Sequence, residues 1–215
     1  RNRPNGLLRL LDCLGAQDLH PALFEVIVID DASEIPATDV LAGSNYPFQI
    51  TVSRVHDPKG PGFARNIGVE KARAGFLAFF DDDTLPATDN LRGHLLMQSA
   101  APSPHLVIGG FELVDTEGSL SMTEQALQSV AFDLRDLRPA GPSEPEGVFS
   151  CNASIPTETV RKIGGFDAYR FPKAVMDDID FGYRLEASGI QVRHCPELRC
   201  DRDHEMSVDL FLEYC

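Results

Sequence analysis

Two short apolar runs, Phe24 to Ile29 (FEVIVI) and Phe76 to Phe80 (FLAFF), each end in a block of acids: Asp30 and Asp31 after the first, Asp81, Asp82 and Asp83 after the second. Runs this short, rich in β-branched and aromatic residues and without alternation, fit strands covered on both faces. Ionised carboxylates cannot be carried into such an interior, so each strand must stop where its acids begin. Gln49 to Val55 reads as another strand. Between the strands lie helical patterns: Leu7, Leu8, Leu10, Leu11 and Leu14 after Pro4, a helix opened by Gly60, Pro61 and Gly62 and running to Ala74, and one from Thr88 to Ser99 after Pro86. This alternation predicts right-handed crossovers and an α/β fold with a mostly parallel, twisted, Rossmann-like sheet flanked by helices. Such sheets bind ligands beyond the carboxyl ends of their strands, so both acid blocks should line one crevice.

Beyond Ala100 the pattern is more mixed. His105 to Val114, Phe149 to Ile155 and Ile190 to His194 read as strands, Thr157 to Ile163, Asp178 to Ser188 and Ser207 to Tyr214 as helices, and Leu134 to Gly147 as a long surface loop or lid. The chain of 215 residues carries 19 Lys and Arg against 33 Asp and Glu, a net charge of −14. That balance argues against nucleic acid or an anionic membrane surface as partner and leaves divalent cations welcome. No apolar run approaches the roughly 18 residues of a membrane span. Five cysteines (Cys13, Cys151, Cys195, Cys200, Cys215) without regular spacing fit reduced thiols and a cytoplasmic location, peripheral membrane association being left open. The sequence opens at Arg1 without Met, which leads us to expect residues upstream.

Three acids in a row after a buried strand repel one another unless something positive joins them. In extended chain Asp81 and Asp83 point to one side and Asp82 to the other, which makes the outer two a pair suited to Mg2+ or Mn2+. The alternative is a solvated acidic turn. Asp30, Asp31 and Ser33 have the composition of a helix cap, and equally of a carboxylate that accepts from a nucleobase or ribose. Lys59, the glycines at 60 and 62, and Arg65 offer a helix N-terminus with two cations, fit to meet a pyrophosphate. Asp177, Asp178 and Asp180 crowd at a helix start, where capping competes with service as a general base. Arg184, four residues past Asp180, should pair with it. His204 stands in an acidic segment, either solvated or a metal ligand.

In this order the motifs resemble family 2 glycosyltransferases, inverting enzymes of the GT-A fold. The matching segments are NRP at Asn2 to Pro4, VIVIDDAS at Val26 to Ser33, GPGFARNIGVEKARAGFLAFFDDDTLP at Gly60 to Pro86, CNASIP at Cys151 to Pro156, GGFD at Gly164 to Asp167 and DDIDFGYRLEASG at Asp177 to Gly189. The resemblance implies a metal-dependent transfer of a sugar from a UDP-, dTDP- or GDP-linked donor to an acceptor hydroxyl. Residues 1–100 would form the donor-binding half and 101–215 the acceptor-binding and catalytic half of one domain. By the same resemblance Asp31 would contact the base, with Asp30 and Arg3 nearby; Arg65 and Lys59 would face ribose or phosphate. Asp81 and Asp82 would belong to the donor site, Asp83 and His204 would hold Mn2+ or Mg2+, and Asp178, preceded by Asp177, would be the catalytic base. The family's first strand would precede Arg1, so one member of the expected sheet is missing. A nucleotidyltransferase, or a nucleotide-sugar-binding domain without catalysis, remains the alternative.

Overall fold

In the computed structural model the described residues are 1–113, 140–173 and 176–202. The last expected helix, residues 134–139 of the expected lid, and His204 lie outside them. Pro4, with its preset φ and no amide to satisfy, starts α1 (Pro4–Gly15), and its leucines turn Leu10, Leu11 and Leu14 inward. The first strand, β1 (Glu25–Asp31), pairs in parallel with β2 (Gln49–Val55) from Glu25 opposite Gln49 to Asp31 opposite Val55. A short helix, α2 (Ala37–Val40), lies between them, and α3 (Pro61–Lys71) follows. Leu10, Leu11 and Leu14 of α1 meet Phe48 and Leu91 over this pair of strands in one apolar cluster.

The larger sheet has the order β3, β7, β5, β8, β4. Its members are β3 (Phe76–Phe80), β4 (Thr84–Pro86), β5 (His105–Leu113), β7 (Asn152–Pro156) and β8 (Gln191–Arg202), with β6 (Gly141–Ser143) added on β8. The helices α4 (Asn90–Ala100), α5 (Thr157–Lys162) and α6 (Asp177–Ala187) complete the described elements. Within this sheet β5 and β8 run parallel, whereas β7 is antiparallel to β3 and β5, and β4 and β6 are antiparallel to β8. The second core lies against it: Leu106, Ile108, Ala153 and Ile155 from the strands, Val69 from α3, Val160 from α5, Phe181 and Leu185 from α6. Phe166 stacks on Phe181 at 4.4 Å between ring centroids and meets Phe79 edge-on.

The mostly parallel pairing expected from the first hundred residues holds for β1 with β2, and β5 with β8 adds a second parallel pair. The neighbour of β3 is instead the antiparallel β7. Among the described residues no strand joins β1 to β3, and the two strand sets form separate sheets. The stretch expected to be a lid contributes β6 and a tight 3-10 turn, Pro145–Gly147, packed beside α6. Among the described residues no helix is long and apolar enough to cross a membrane. Cys13, Cys151, Cys195 and Cys200 are free thiols.

Candidate functional site

The two acid blocks behave differently. Asp30, at the end of β1, turns a buried carboxylate on its own loop: it accepts from the amides of Ser33 (2.8 Å) and Ala37 (3.1 Å) and from Arg54 Nη1 (2.7 Å), the residue opposite it on β2. Burial alone would raise its pKa, and the hydrogen bonds from Ser33 and Ala37 with the Arg54 charge lower it instead. The capping reading describes Asp30 well, since Ala37 is the first residue of α2. Asp31 accepts from the amides of Lys59 (2.8 Å) and Gly60 (2.9 Å), tying β1 to the turn before α3. Gly60 has φ +89, and a Cβ there would stand 2.0 Å from the carbonyl oxygen of Pro172, so only glycine fits.

Asp81 to Asp83 form a tight turn closed by the Thr84 amide on the Asp81 carbonyl (3.1 Å), not the extended chain the sequence suggested. Asp81 and Asp83 nonetheless share one cation. Arg202, at the end of β8 and in register with Thr84, lies 3.5 Å from Asp81 Oδ2 and 3.5 Å from Asp83 Oδ2, with its Nε 3.4 Å from Asp83 Oδ1. Arg3, leading into α1, reaches Asp82 (3.2 Å) and Asp83 (3.0 Å) from the other side. The helix packs so closely on this turn that a Cβ at Gly6 would meet the Asp82 carbonyl oxygen at 2.5 Å.

Arg65, on α3, connects this turn to the head of α6. Its Nη2 holds Asp81 at 2.9 Å, while Nη1 holds Asp177 at 3.0 Å and lies 3.8 Å from Asp178. The guanidinium sits over the Phe166 ring at 5.3 Å. Burial would lower its pKa, but the surrounding carboxylates of Asp81, Asp178 and Asp177 raise it, so it stays charged. The adjacent Asn66 clamps the backbone of Phe166 with two 2.8 Å bonds, which fixes the GGFD turn against α3. Arg65 was expected at ribose or phosphate; here its guanidinium is engaged by three carboxylates.

Asp177 is buried, and its carboxyl is pushed up to about 6 by that burial and by the Asp178 charge, against the opposing pull of Arg65. Asp178, with 22% of its side chain exposed, accepts from the Ser150 hydroxyl (2.6 Å) and amide (3.2 Å). Asp180 pairs with Arg184 at 2.7 Å, as its spacing predicts. Lys59 is exposed, with its backbone amide on Asp31. Three residues other than glycine have positive φ among those described: Asn2 before Arg3, Ala32 after Asp31 and Met176 before Asp177. Each strained residue adjoins a member of the crevice, the usual address of such strain.

Behind the site lies a buried polar network. His94 Nδ1 meets the Ser154 hydroxyl at 2.8 Å and Nε2 meets Asn152 Oδ1 at 2.9 Å, while Asn152 Nδ2 donates to the carbonyls of Gly110 and Leu198. Asn152 thus ties β7 to β5, β8 and α4, two residues beyond Ser150. Burial drives the His94 pKa down to about 4.

Five carboxylates, those of Asp81, Asp82, Asp83, Asp177 and Asp178, face the guanidiniums of Arg3, Arg65 and Arg202, leaving two negative charges in excess. Among the described residues no three His, Cys, Asp or Glu side chains converge into a metal cage. A hard divalent cation needs less than a cage, since Mg2+ and Mn2+ bind through one or two carboxylates and take further oxygens from water and substrate phosphate. The all-oxygen pair Asp81 and Asp83, with this charge excess around it, fits that requirement. Two residues outside the sequence expectations, Ser150 and Arg202, therefore complete the site. Arg202 has no local signal in the sequence, because its place follows from the pairing of β8 with β4.

Comparison with known proteins bears on the family and the fold. The chain is 28% identical over 97% of its length to the pre-mycofactocin glycosyltransferase of Mycobacterium tuberculosis, of which the match covers 42%. It superposes on Staphylococcus aureus TarS 1-349 in complex with UDP-GlcNAc with a TM-score of 0.72 at 14% identity, covering 95% of this chain and 56% of that one. On the mannosyltransferase PcManGT from Pyrobaculum calidifontis, in complex with GDP-Man and Mn2+, the TM-score is 0.69 at 20% identity, covering 94% of this chain and 54% of that one. The chain spans about half the length of these relatives. The fold is that of GT-A glycosyltransferases, and the sequence model of glycosyl transferase family 2 matches residues 1–165. The chain belongs to glycosyl transferase family 2.

Proposed function

We propose that this chain transfers a sugar from a nucleoside diphosphate donor to an acceptor hydroxyl, with a divalent cation and with inversion at the anomeric carbon. The observation that carries the reading is Arg65: one guanidinium joins Asp81 of the donor-side turn to Asp177 and Asp178 at the head of α6. A base and a leaving-group site on adjacent walls of one crevice are what an in-line displacement requires. The ligands named for TarS and PcManGT, UDP-GlcNAc and GDP-Man, support a nucleotide-sugar donor.

Asp178 is the base. It is the more accessible of the α6 pair, and Ser150 fixes its orientation, so one carboxylate oxygen can take the proton of the acceptor hydroxyl. The acceptor oxygen then bonds to the anomeric carbon as the bond from that carbon to the diphosphate oxygen breaks, with the electron pair leaving on the diphosphate. Asp177, buried against Arg65, positions Asp178 and does not meet substrate. Asp81 and Asp83 would hold Mn2+ or Mg2+, which neutralises charge growing on the leaving group. Asp31 serves the nucleobase, using lone pairs beyond those that accept from Lys59 and Gly60, while Asp30 holds the loop that shapes that pocket. Arg3 and Lys59, which reach solvent, serve the phosphates or ribose. Residues 1–100 form the donor side and the later elements the acceptor side.

Calorimetric titration with UDP, dTDP and GDP, each with and without Mn2+, on the wild type and Asp83→Ala tests this reading. The expected result is metal-dependent binding of one nucleotide that the variant loses. No binding of any nucleotide by the folded wild type would overturn it, and pyrophosphate rather than nucleoside diphosphate as product would indicate nucleotidyl transfer.

A further inference from the structure

Arg202 is a positive charge built into the floor of the proposed cation site. It is one-tenth exposed, against about a third for Arg3, and its backbone is locked in the β4–β8 ladder opposite Thr84. It cannot swing out as an exposed arginine can. Its fork spans both outer acids of the turn, at 3.5 Å from Asp81 and at 3.4 and 3.5 Å from Asp83. Burial would lower its pKa, and the neighbouring Cys151 with Asp83 and Asp81 raises it, so the charge is permanent.

Such a charge acts on a divalent cation in two opposed ways. It holds Asp81 and Asp83 ionised and oriented while no metal is present, which removes the cost of assembling them. It also repels a second cation brought to the same oxygens, and at low exposure little solvent screens that repulsion. A diphosphate reverses the second effect, because its oxygens offer negative charge to the incoming metal and to the guanidinium together.

We propose that Arg202 is a positioning residue that makes cation binding conditional on the diphosphate: the bare protein binds Mn2+ weakly, and nucleotide and metal enter as one unit. The proposal rests on the donor-site reading above and adds a coupling that the reading does not require. The test compares wild type, Arg202→Gln and Arg202→Lys by electron paramagnetic resonance of free Mn2+, with no nucleotide and then with saturating UDP, dTDP or GDP, whichever the wild type binds. Without nucleotide, Arg202→Gln should bind Mn2+ about tenfold or more tightly than wild type, as loss of one unscreened charge demands. Arg202→Lys, which keeps the charge, should stay within about twofold of wild type on the same ground. With nucleotide present, the gap between wild type and Arg202→Gln should shrink.

A purely structural role would loosen the site and weaken Mn2+ binding in both variants, so a gain of affinity cannot come from damage. If Arg202→Gln is too unstable for titration, melting with and without Mn2+ serves instead, and the variant's melting temperature should rise more with Mn2+ than the wild type's. The proposal is overturned if Arg202→Gln binds Mn2+ alone no more tightly, or gains no more thermal stability from it, than wild type. That failure is distinct from failure of the donor-site reading, which would appear as absence of nucleotide binding by the wild type.

Discussion

Two buried groups titrate in opposite directions across one pH window, so the wild type should conceal both effects. Asp177 is raised from 3.8 to about 6 by burial and the Asp178 charge, which is worth about 3 kcal/mol. Its folded form prefers the proton, so this contribution is fully present below about pH 4 and is lost as pH rises through 6. His94 is lowered by burial from 6.5 to about 4, also worth about 3 kcal/mol. Its folded form rejects the proton, so that contribution is present above about pH 6.5 and lost as pH falls toward 4. The two slopes nearly cancel. Asp177→Asn removes one of them while its amide oxygen still accepts from Arg65, and His94→Gln removes the other. Urea unfolding at steps between about pH 4 and pH 8, extrapolated to water, gives the difference curve of each variant from wild type and removes titrations common to both. Between pH 7 and 4, Asp177→Asn should lose about 3 kcal/mol relative to wild type and His94→Gln should gain about as much. Any constant offset from repacking is irrelevant, because only the slopes carry the reasoning. Flat difference curves, or slopes of the same sign, would refute it.

Asp178→Asn should lower turnover, followed as nucleoside diphosphate release, by about 10²- to 10⁴-fold while leaving nucleotide affinity within about twofold. Equal losses in binding and turnover would contradict its assignment as base. Gly60→Ala combines φ +89 with a Cβ 2.0 Å from the Pro172 carbonyl oxygen, whereas Gly189, at φ +73, has nothing within 4 Å of a Cβ. Thermal melting should therefore show a loss of about 2–4 kcal/mol for Gly60→Ala against about 1 kcal/mol for Gly189→Ala.

The strands at Gln49–Val55 and Phe76–Phe80 have the limits the residues suggest. The first strand does not stop where its acids begin: β1 runs on through Asp30 and Asp31, because Arg54 opposite Asp30 on β2 and nearby backbone amides satisfy their carboxylates. The strand expected at Ile190 to His194 runs on to Arg202. Its later half alternates charged and apolar residues around Pro196, a pattern a loop can also have, and what makes it a strand is a partner distant in sequence. Across from it, Gly109 and Gly110 leave the room it needs: a Cβ at Gly110 would stand 2.6 Å from the Pro196 carbonyl oxygen. The three-residue β4 is too short to carry any periodicity. The site divides in the same way. The carboxylates were legible as blocks at strand and helix ends, and Arg3 and Arg65 as cations of the same site, but the pairing was not, because Arg65 bridges positions 16 and 112 residues away; Arg202, which reaches one 119 residues away, was not legible at all.

On the function proposed above, the same arginines bear on how a donor would be recognised. Arg65 and Arg202 already hold carboxylates, and the chain carries a net charge of −14, so its long-range field repels a bare diphosphate. A diphosphate that arrives with its divalent cation presents little net charge to that field, and it brings the positive charge that the excess carboxylates around Asp81 and Asp83 lack. The long-range and the local electrostatics thus favour the same ligand, the metal complex of the nucleotide. On the proposal made for Arg202, an arginine fixed beneath Asp81 and Asp83 would sharpen this preference, discouraging the bare cation as the overall field discourages the bare nucleotide.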